Sequence, residues 1–398
     1  MTRDSRADLP ALSPLAPSAP DPDAGALTDA EVAAWLRLAA TPGLGPVGAR
    51  RLLAAFGLPE RVLAQDAARL GAHVPADVVR ALLAPPDDAM AALIDRTLAW
   101  RDAPHHHLLT LADAAYPARL FDLHDPPPLL YVNGHLDTLA RPALAIVGAR
   151  KATDQGRQDA ESFAAAFSRV GLAVISGLAL GVDAAAHAGG LSGPGGTVAV
   201  IGTGADIVYP ARHRDLAHAV AAHGAIVSEF PLGTRAVGHH FPRRNRIIAA
   251  LSRGVLVIEA AERSGSLITA RFAAELGREV LAVPGSIHSA LSRGGHRLIR
   301  DGARLVEAPA DVFEEFTDLN LPPAGTTLVA AGDTAGRTQC SDTLGAALAY
   351  DPVTLDDICA RSGMRPDTVA TALLELELAG AVERLPGNRY RRCSRIGR

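Results

Sequence analysis

The chain has 398 residues, 48% apolar and 21% charged, which is enough for two to four ordinary globular domains at ~100–200 residues each. Its 39 basic and 43 acidic side chains give a formal charge of −4, which excludes a wholly basic, histone-like protein but not a local basic surface. Three cysteines (Cys340, Cys359, Cys393), none in a CxxC pair, exclude a disulfide framework and argue against a zinc ribbon, and no apolar run reaches the ~18 residues of a membrane span.

Residues 1–25 are rich in Pro, Ala and Asp and lack the apolar core of a secretory signal, so a disordered tail and a cytoplasmic protein are expected. Residues 26–100 read as helical, with Asp29 placed to cap a run carrying Val32, Trp35, Leu36 and Leu38 at helical spacing. Gly43-Leu44-Gly45-Pro46-Val47-Gly48 fits the letters of a dinucleotide fingerprint, but no strand precedes it. It reads equally as a plain helix–helix turn and as a helix-hairpin-helix-like turn facing a phosphate. Residues 101–140 read as a connector, and His105-His106-His107 within it as a loop without zinc spacing.

Residues 141–316 alternate short apolar runs (143–147, 172–175, 197–201, 225–227, 255–258, 279–283) with helical stretches such as 158–169 and 267–276. Unbroken apolar strands between helices predict an α/β, Rossmann-like, doubly wound domain with a parallel sheet covered on both faces. Its ligand would sit outside the carboxyl ends of the strands. Residues 317–342 read as a linker. Residues 343–393 offer three helices (344–349, 355–360, 366–378) and a hairpin around Pro386-Gly387-Asn388, the order of a winged helix.

Chemistry concentrates at the strand ends. Val147-Gly148-Ala149-Arg150-Lys151 places two cations beside a glycine turn and a helix start. Ser176-Gly177, Gly202-Thr203-Gly204 and Ser264-Gly265-Ser266 follow three further strands. Any one of these glycines is better explained as a tight turn, but four such loops beside cations point to anion binding. Phe241-Pro242-Arg243-Arg244-Asn245-Arg246 is the strongest local signal, and residues 235–304 carry 12 arginines against five carboxylates. That pattern suits a phosphodiester backbone, with Phe241 either stacking on an unpaired base or lying in the core, and Asn245 either donating to a phosphate or bracing the loop. Asp183 and His187 are four residues apart, without a nucleophile or metal partner, and Asp183 is expected to serve the helix start. No nucleophile elbow or Walker lysine motif occurs, so no catalytic residue, metal or cofactor is expected.

Taken together, Ile146-Val147-Gly148-Ala149-Arg150, Ser176-Gly177-Leu178-Ala179, Gly181-Val182-Asp183-Ala184-Ala185-Ala186-His187, residues 241–248, Glu259-Ala260 and Ser264-Gly265-Ser266-Leu267-Ile268-Thr269-Ala270 resemble the DprA (Smf) family of DNA-processing proteins. The likeness continues through Val283-Pro284-Gly285 and Leu298-Ile299-Arg300-Asp301-Gly302-Ala303. The resemblance implies an N-terminal SAM-like helical region, a Rossmann-like centre and a C-terminal winged helix. It also implies a non-enzymatic protein that binds incoming single-stranded DNA in natural transformation, dimerises through its centre and helps load the RecA recombinase. Carried onto this chain, the binding residues are Arg150, Arg243, Arg244 and Arg246, with Phe241 stacking; Lys151, Ser176, Gly177, Asn245, Ser264, Gly265 and Ser266 complete the expected surface.

Two other readings compete. A Rossmann-like hydrolase cleaving nucleoside monophosphates would use Glu259 or Glu262, beside the helix opening at Ser264-Gly265-Ser266. A duplex-binding regulator would use residues 343–393. However, that module's third helix carries Thr368, Thr371, Glu375 and Glu377, with only Arg365 basic at its start, a poor groove reader.

Overall fold

The computed structural model describes residues 27–319, Leu348, and 353–392 apart from 363, 379–381 and 388. The expected tail 1–25, the linker 317–342 beyond residue 319, and the helix expected at 344–349 apart from Leu348 lie outside the described residues. The first helix begins at a reciprocal cap. Thr28 Oγ accepts from the Glu31 amide (3.3 Å), and the Glu31 carboxylate accepts from the Thr28 amide (2.8 Å), one residue before the expected Asp29. That helix is α1 (Asp29–Ala40), and five more follow: α2 (Gly45–Phe56), α3 (Pro59–Leu63), α4 (Ala67–Gly71), α5 (Ala76–Leu83) and α6 (Asp88–Arg101). Leu38, Leu52, Val62, Leu70, Val78 and Leu82 form the shared core of α1–α5, while Ile94, Leu98 and Trp100 of α6 pack with Leu108, Leu129 and Tyr131.

The segment expected as a connector, 101–140, is instead part of the central sheet. β1 (His106–Thr110) and β2 (Leu129–Gly134) pair antiparallel, and β2 pairs antiparallel with β6, before α7 (Leu136–Ala140). Leu130 and Val132 are fully buried on the sheet's core face, which is what draws this segment into the sheet. His106 and His107 belong to β1 rather than to a loop, and the His106 ring stacks on Trp100 at 4.1 Å.

The remaining order is β3 (Ala143–Val147), α8 (Asp154–Arg169), β4 (Ala173–Ser176), α9 (Val182–Leu191), β5 (Thr197–Val200), α10 (Arg214–His223), β6 (Ala225–Ser228), α11 (His240–Leu251), β7 (Gly254–Val257), α12 (Ser266–Glu275), β8 (Glu279–Ala282), α13 (Arg293–Arg300), β9 (Arg304–Leu305) and α14 (Pro309–Glu315). Each of the six apolar runs therefore forms a strand, with ends within one residue of the expected ones. The sheet runs β1-β2-β6-β5-β4-β3-β7-β8-β9, parallel throughout from β6 to β9. Alternation along β3 shows why its sequence is apolar at every position. Ala143, Ala145 and Val147 pack with Ile247 and Ile248 of α11 on one face. Leu144 and Ile146 pack with Phe163 and Phe167 of α8 on the other.

Beyond the central domain, β10 (Val353–Thr354), α15 (Leu355–Ser362), α16 (Pro366–Leu378), β11 (Val382–Leu385) and β12 (Arg389–Arg392) close around Leu348, Ile358, Val369, Leu373 and Tyr390. Their three strands run β10-β12-β11, the small sheet of a winged helix. Among the described residues, no helix is long and apolar enough to cross a membrane.

Candidate functional site

From β3 the chain winds outward through β4, β5 and β6, then returns to β7 on the other side of β3. The crevice at the carboxyl ends of β3 and β7 is thus the switch point, the position where open α/β sheets bind ligands. A cleft of about 610 Å³ opens there. It is lined by Arg150 and Lys151 from the loop after β3, Phe241, Arg244 and Asn245 from α11, and Arg263, Ser264, Gly265 and Ser266 from the loop after β7. Four cations stand against one carboxylate, Asp183. Arg150, Lys151 and Arg263 are exposed, so their charge is available to a ligand. The Arg150 guanidinium lies 5.3 Å from the centre of the half-buried Phe241 ring, a cation–π contact.

Several expected binding residues are committed internally. Ser176 is fully buried and its hydroxyl donates to Ile146 O (2.7 Å), so it offers nothing to a ligand. Gly177 is buried too, and its amide donates to Asp183 Oδ2 (3.1 Å). It is a glycine because a Cβ there would stand 2.5 Å from Arg244 Cζ. Arg244 itself is buried, donates to Val200 O, and acts on Asp183 as its main opposing charge. Arg246 is buried as well, with Nη2 on Glu229 Oε2 (2.6 Å) and Nε 3.2 Å from Asp125. Asn245 resolves toward bracing, since its Nδ2 donates to Gly265 O (3.2 Å) and ties α11 to the loop after β7. Arg243 is exposed, with 46% of its side chain open to solvent, yet Nε and Nη2 both donate to Glu229 Oε2 (3.1 and 2.9 Å). Ser264 and Ser266 share a hydroxyl–hydroxyl bond (2.7 Å) at the cleft wall.

The expected role of the α8 start also changes. Glu259 Oε2 accepts from the Thr153 amide (2.9 Å) and Oε1 from the Thr153 hydroxyl (2.6 Å). The positive end of α8 is therefore filled by the chain's own carboxylate. Gly156 leaves room for it, because a Cβ there would stand 2.5 Å from Glu259 Cδ. Of the four expected glycine loops, those after β3 and β7 line the cleft. The one after β4 contributes Ala179 and leads to Asp183, and Gly202 after β5 lies beneath Phe241. Arg263 is the exposed cation that sequence reasoning missed, although it immediately precedes the Ser264-Gly265-Ser266 motif.

Asp183 and His187 serve the scaffold. Asp183 lies in the first turn of α9 and accepts from the amides of Gly177 and Ala179 (3.1 and 3.3 Å). Burial pushes its pKa up, against the pull of Arg244. His187 is fully buried: Nε2 accepts from the Leu178 amide (3.2 Å) and Nδ1 lies 2.7 Å from Thr197 Oγ1, whose own proton goes to Val174 O. Those partners fix a neutral Nδ1–H ring, and burial lowers its pKa to about 3. Because the folded value lies below the unfolded one, the stabilisation is complete above pH ~6.5 and is lost as pH falls toward the folded value. Urea unfolding of the wild type and His187→Gln is therefore expected to show a stability gap that narrows by ~2 kcal/mol between pH 7 and pH 5. A constant gap would mean that the ring is protonated alike in both states.

These features define a Rossmann-like α/β protein with a cation-lined crevice at its switch point and a winged-helix appendage. The family model described as DNA recombination-mediator protein A matches residues 107–317, and the DprA winged helix domain matches residues 329–388. The chain belongs to the DprA (Smf) family. It is 40% identical to protein Smf of Escherichia coli over 310 residues, covering 77% of this chain and 83% of that one. It is 33% identical to protein Smf of Synechocystis, covering 92% of this chain and all of that one. The X-ray structure of DNA processing protein A from Streptococcus pneumoniae superposes with a TM-score of 0.61 at 36% identity, over 73% of this chain and 99% of that one.

Proposed function

We propose that the protein binds single-stranded DNA in the crevice between β3 and β7 and acts as a cytoplasmic recombination mediator. It protects the incoming strand in natural transformation and helps load the RecA recombinase onto it. The observation that carries this reading is the juxtaposition of three exposed cations, Arg150, Lys151 and Arg263, with the half-exposed Phe241 ring. Phosphates would meet the cations and an unpaired base the ring, a combination that suits a single strand and reads no sequence. Family membership supports the mediator role, and the expected homodimer through the central domain follows from the same resemblance.

The non-enzymatic reading is supported by what the carboxylates do. Glu259 is bound by Thr153 at the α8 start, and Glu262 lines not the crevice between β3 and β7 but a neighbouring cleft that shares Arg263 and Ser264 with it. A nucleotide hydrolase would need one of them free beside the substrate, and ribose release from nucleoside monophosphates tests that alternative directly.

The experiment for the main reading is titration of fluorescent oligo-dT and a matched duplex at two salt concentrations. Tight, salt-sensitive preference for the single strand is expected, while equal or stronger duplex binding would move the site to the winged helix. In the same assay Phe241→Ala is expected to cost ~1–3 kcal/mol of affinity. A lowered melting temperature with unchanged affinity would instead make Phe241 a packing residue.

A further inference from the structure

Phe241 has an aromatic neighbour that neither the sequence motifs nor the family comparison singles out. The loop between β5 and α10 runs beneath Phe241 at Gly202 and ends at Tyr209, whose ring centre lies 5.7 Å from that of Phe241, with the planes 36° apart. Tyr209 is 47% exposed, although the loop that carries it is well braced. Thr203 Oγ1 donates to Ile207 O (2.7 Å), the Gly204 amide to Thr234 O (2.9 Å), and His213 Nδ1 bonds Leu178 O (3.0 Å) just beyond Tyr209. The ring is thus held in solvent by a fixed backbone, which limits the entropy lost when it captures a flat partner. Arg212 and Arg214 follow, both exposed and in no ion pair among the described residues.

Resting on the single-strand reading above, we infer that Tyr209 is a second base-stacking residue. It carries the strand out of the crevice, from Arg150 and Phe241 across the β5–α10 loop toward Arg212 and Arg214. The ring spacing exceeds the ~3.4 Å rise per nucleotide of a stacked strand, so successive unpaired bases of a strand drawn out beyond that rise meet successive rings. The ligand class is an unpaired nucleobase of any identity, since every base offers a π-face.

The test uses the full chain, oligo-dT and the same oligonucleotide with abasic positions. Tyr209→Ala is expected to weaken oligo-dT binding about tenfold, with an unchanged log–log salt slope because no charge is removed. Tyr209→Phe is expected to bind like the wild type. On the abasic strand, wild type and Tyr209→Ala are expected to bind alike. Wild-type affinity in Tyr209→Ala would overturn the inference while leaving the crevice reading intact. An equal loss on normal and abasic strands would also overturn it, showing that Tyr209 supports the loop rather than a base. Failure of the unmodified protein to bind oligo-dT would overturn both readings at once.

Discussion

Replacing Arg150, Lys151 and Arg263 together with alanine is expected to weaken single-strand binding on the order of 100-fold at 0.1 M salt, with the melting temperature unchanged. All three side chains are exposed around the crevice, so their removal opens no cavity and strands no buried partner. Each phosphate contact to a single strand contributes about 0.7 to the log–log salt slope, so three lost contacts remove roughly two log units at that concentration. The loss should be the same for every sequence, because phosphate contacts position a strand without reading it. Arg243→Ala should lose less, because Glu229 already holds that guanidinium through two of its nitrogens. An unchanged slope in the triple variant would place the strand elsewhere on the molecule.

Arg244→Ala is expected to do the opposite, lowering stability first and binding only as a result. The side chain is buried, and its charge is the main opposition to the burial penalty on Asp183. Arg244 forms no salt bridge with Asp183, so the loss of its charge and of its hydrogen bond to Val200 O is expected to cost about 1–3 kcal/mol. That is an appreciable share of an ordinary domain's stability of about 5–15 kcal/mol. Gly177→Ala should mimic it, since the new Cβ would land on the guanidinium. Adding Asp183→Asn to Arg244→Ala should recover part of the loss, because the stranded charge is then gone. Urea unfolding of the single and double variants measures this directly. Native stability with a binding defect in Arg244→Ala would return that arginine to the phosphate-contacting set.

The contrast between these two variants marks where the sequence stops being informative. The parallel sheet was legible because β3 through β7 are buried on both faces, which leaves continuous apolar runs that no surface element would show. β2 has a similar run in Leu129-Leu130-Tyr131-Val132, but three prolines precede it, and nothing local announces that it will pair with β6 a hundred residues later. Within residues 241–246, composition reveals a cluster of arginines but not their partners. Glu229 and Asp183 approach from other strand ends, and only the fold brings them to Arg246 and Arg244. Arg263 was missed for the converse reason: it stands beside Glu262 and looks like ordinary surface charge until the loop after β7 turns it into the cleft.

The carboxylate of Glu259 at the start of α8 bears on competition. A vacant helix start at a switch crevice would attract nucleoside phosphates, which are small, abundant and strongly anionic. With that position already filled from within, a lone nucleotide can engage only a cation or two and one ring at a time, too few contacts for tight binding. A polymer engages the same weak contacts in series, and each engaged nucleotide raises the effective concentration of the next. Selectivity for a strand over its own monomers then follows from connectivity, without any pocket shaped to reject the monomer.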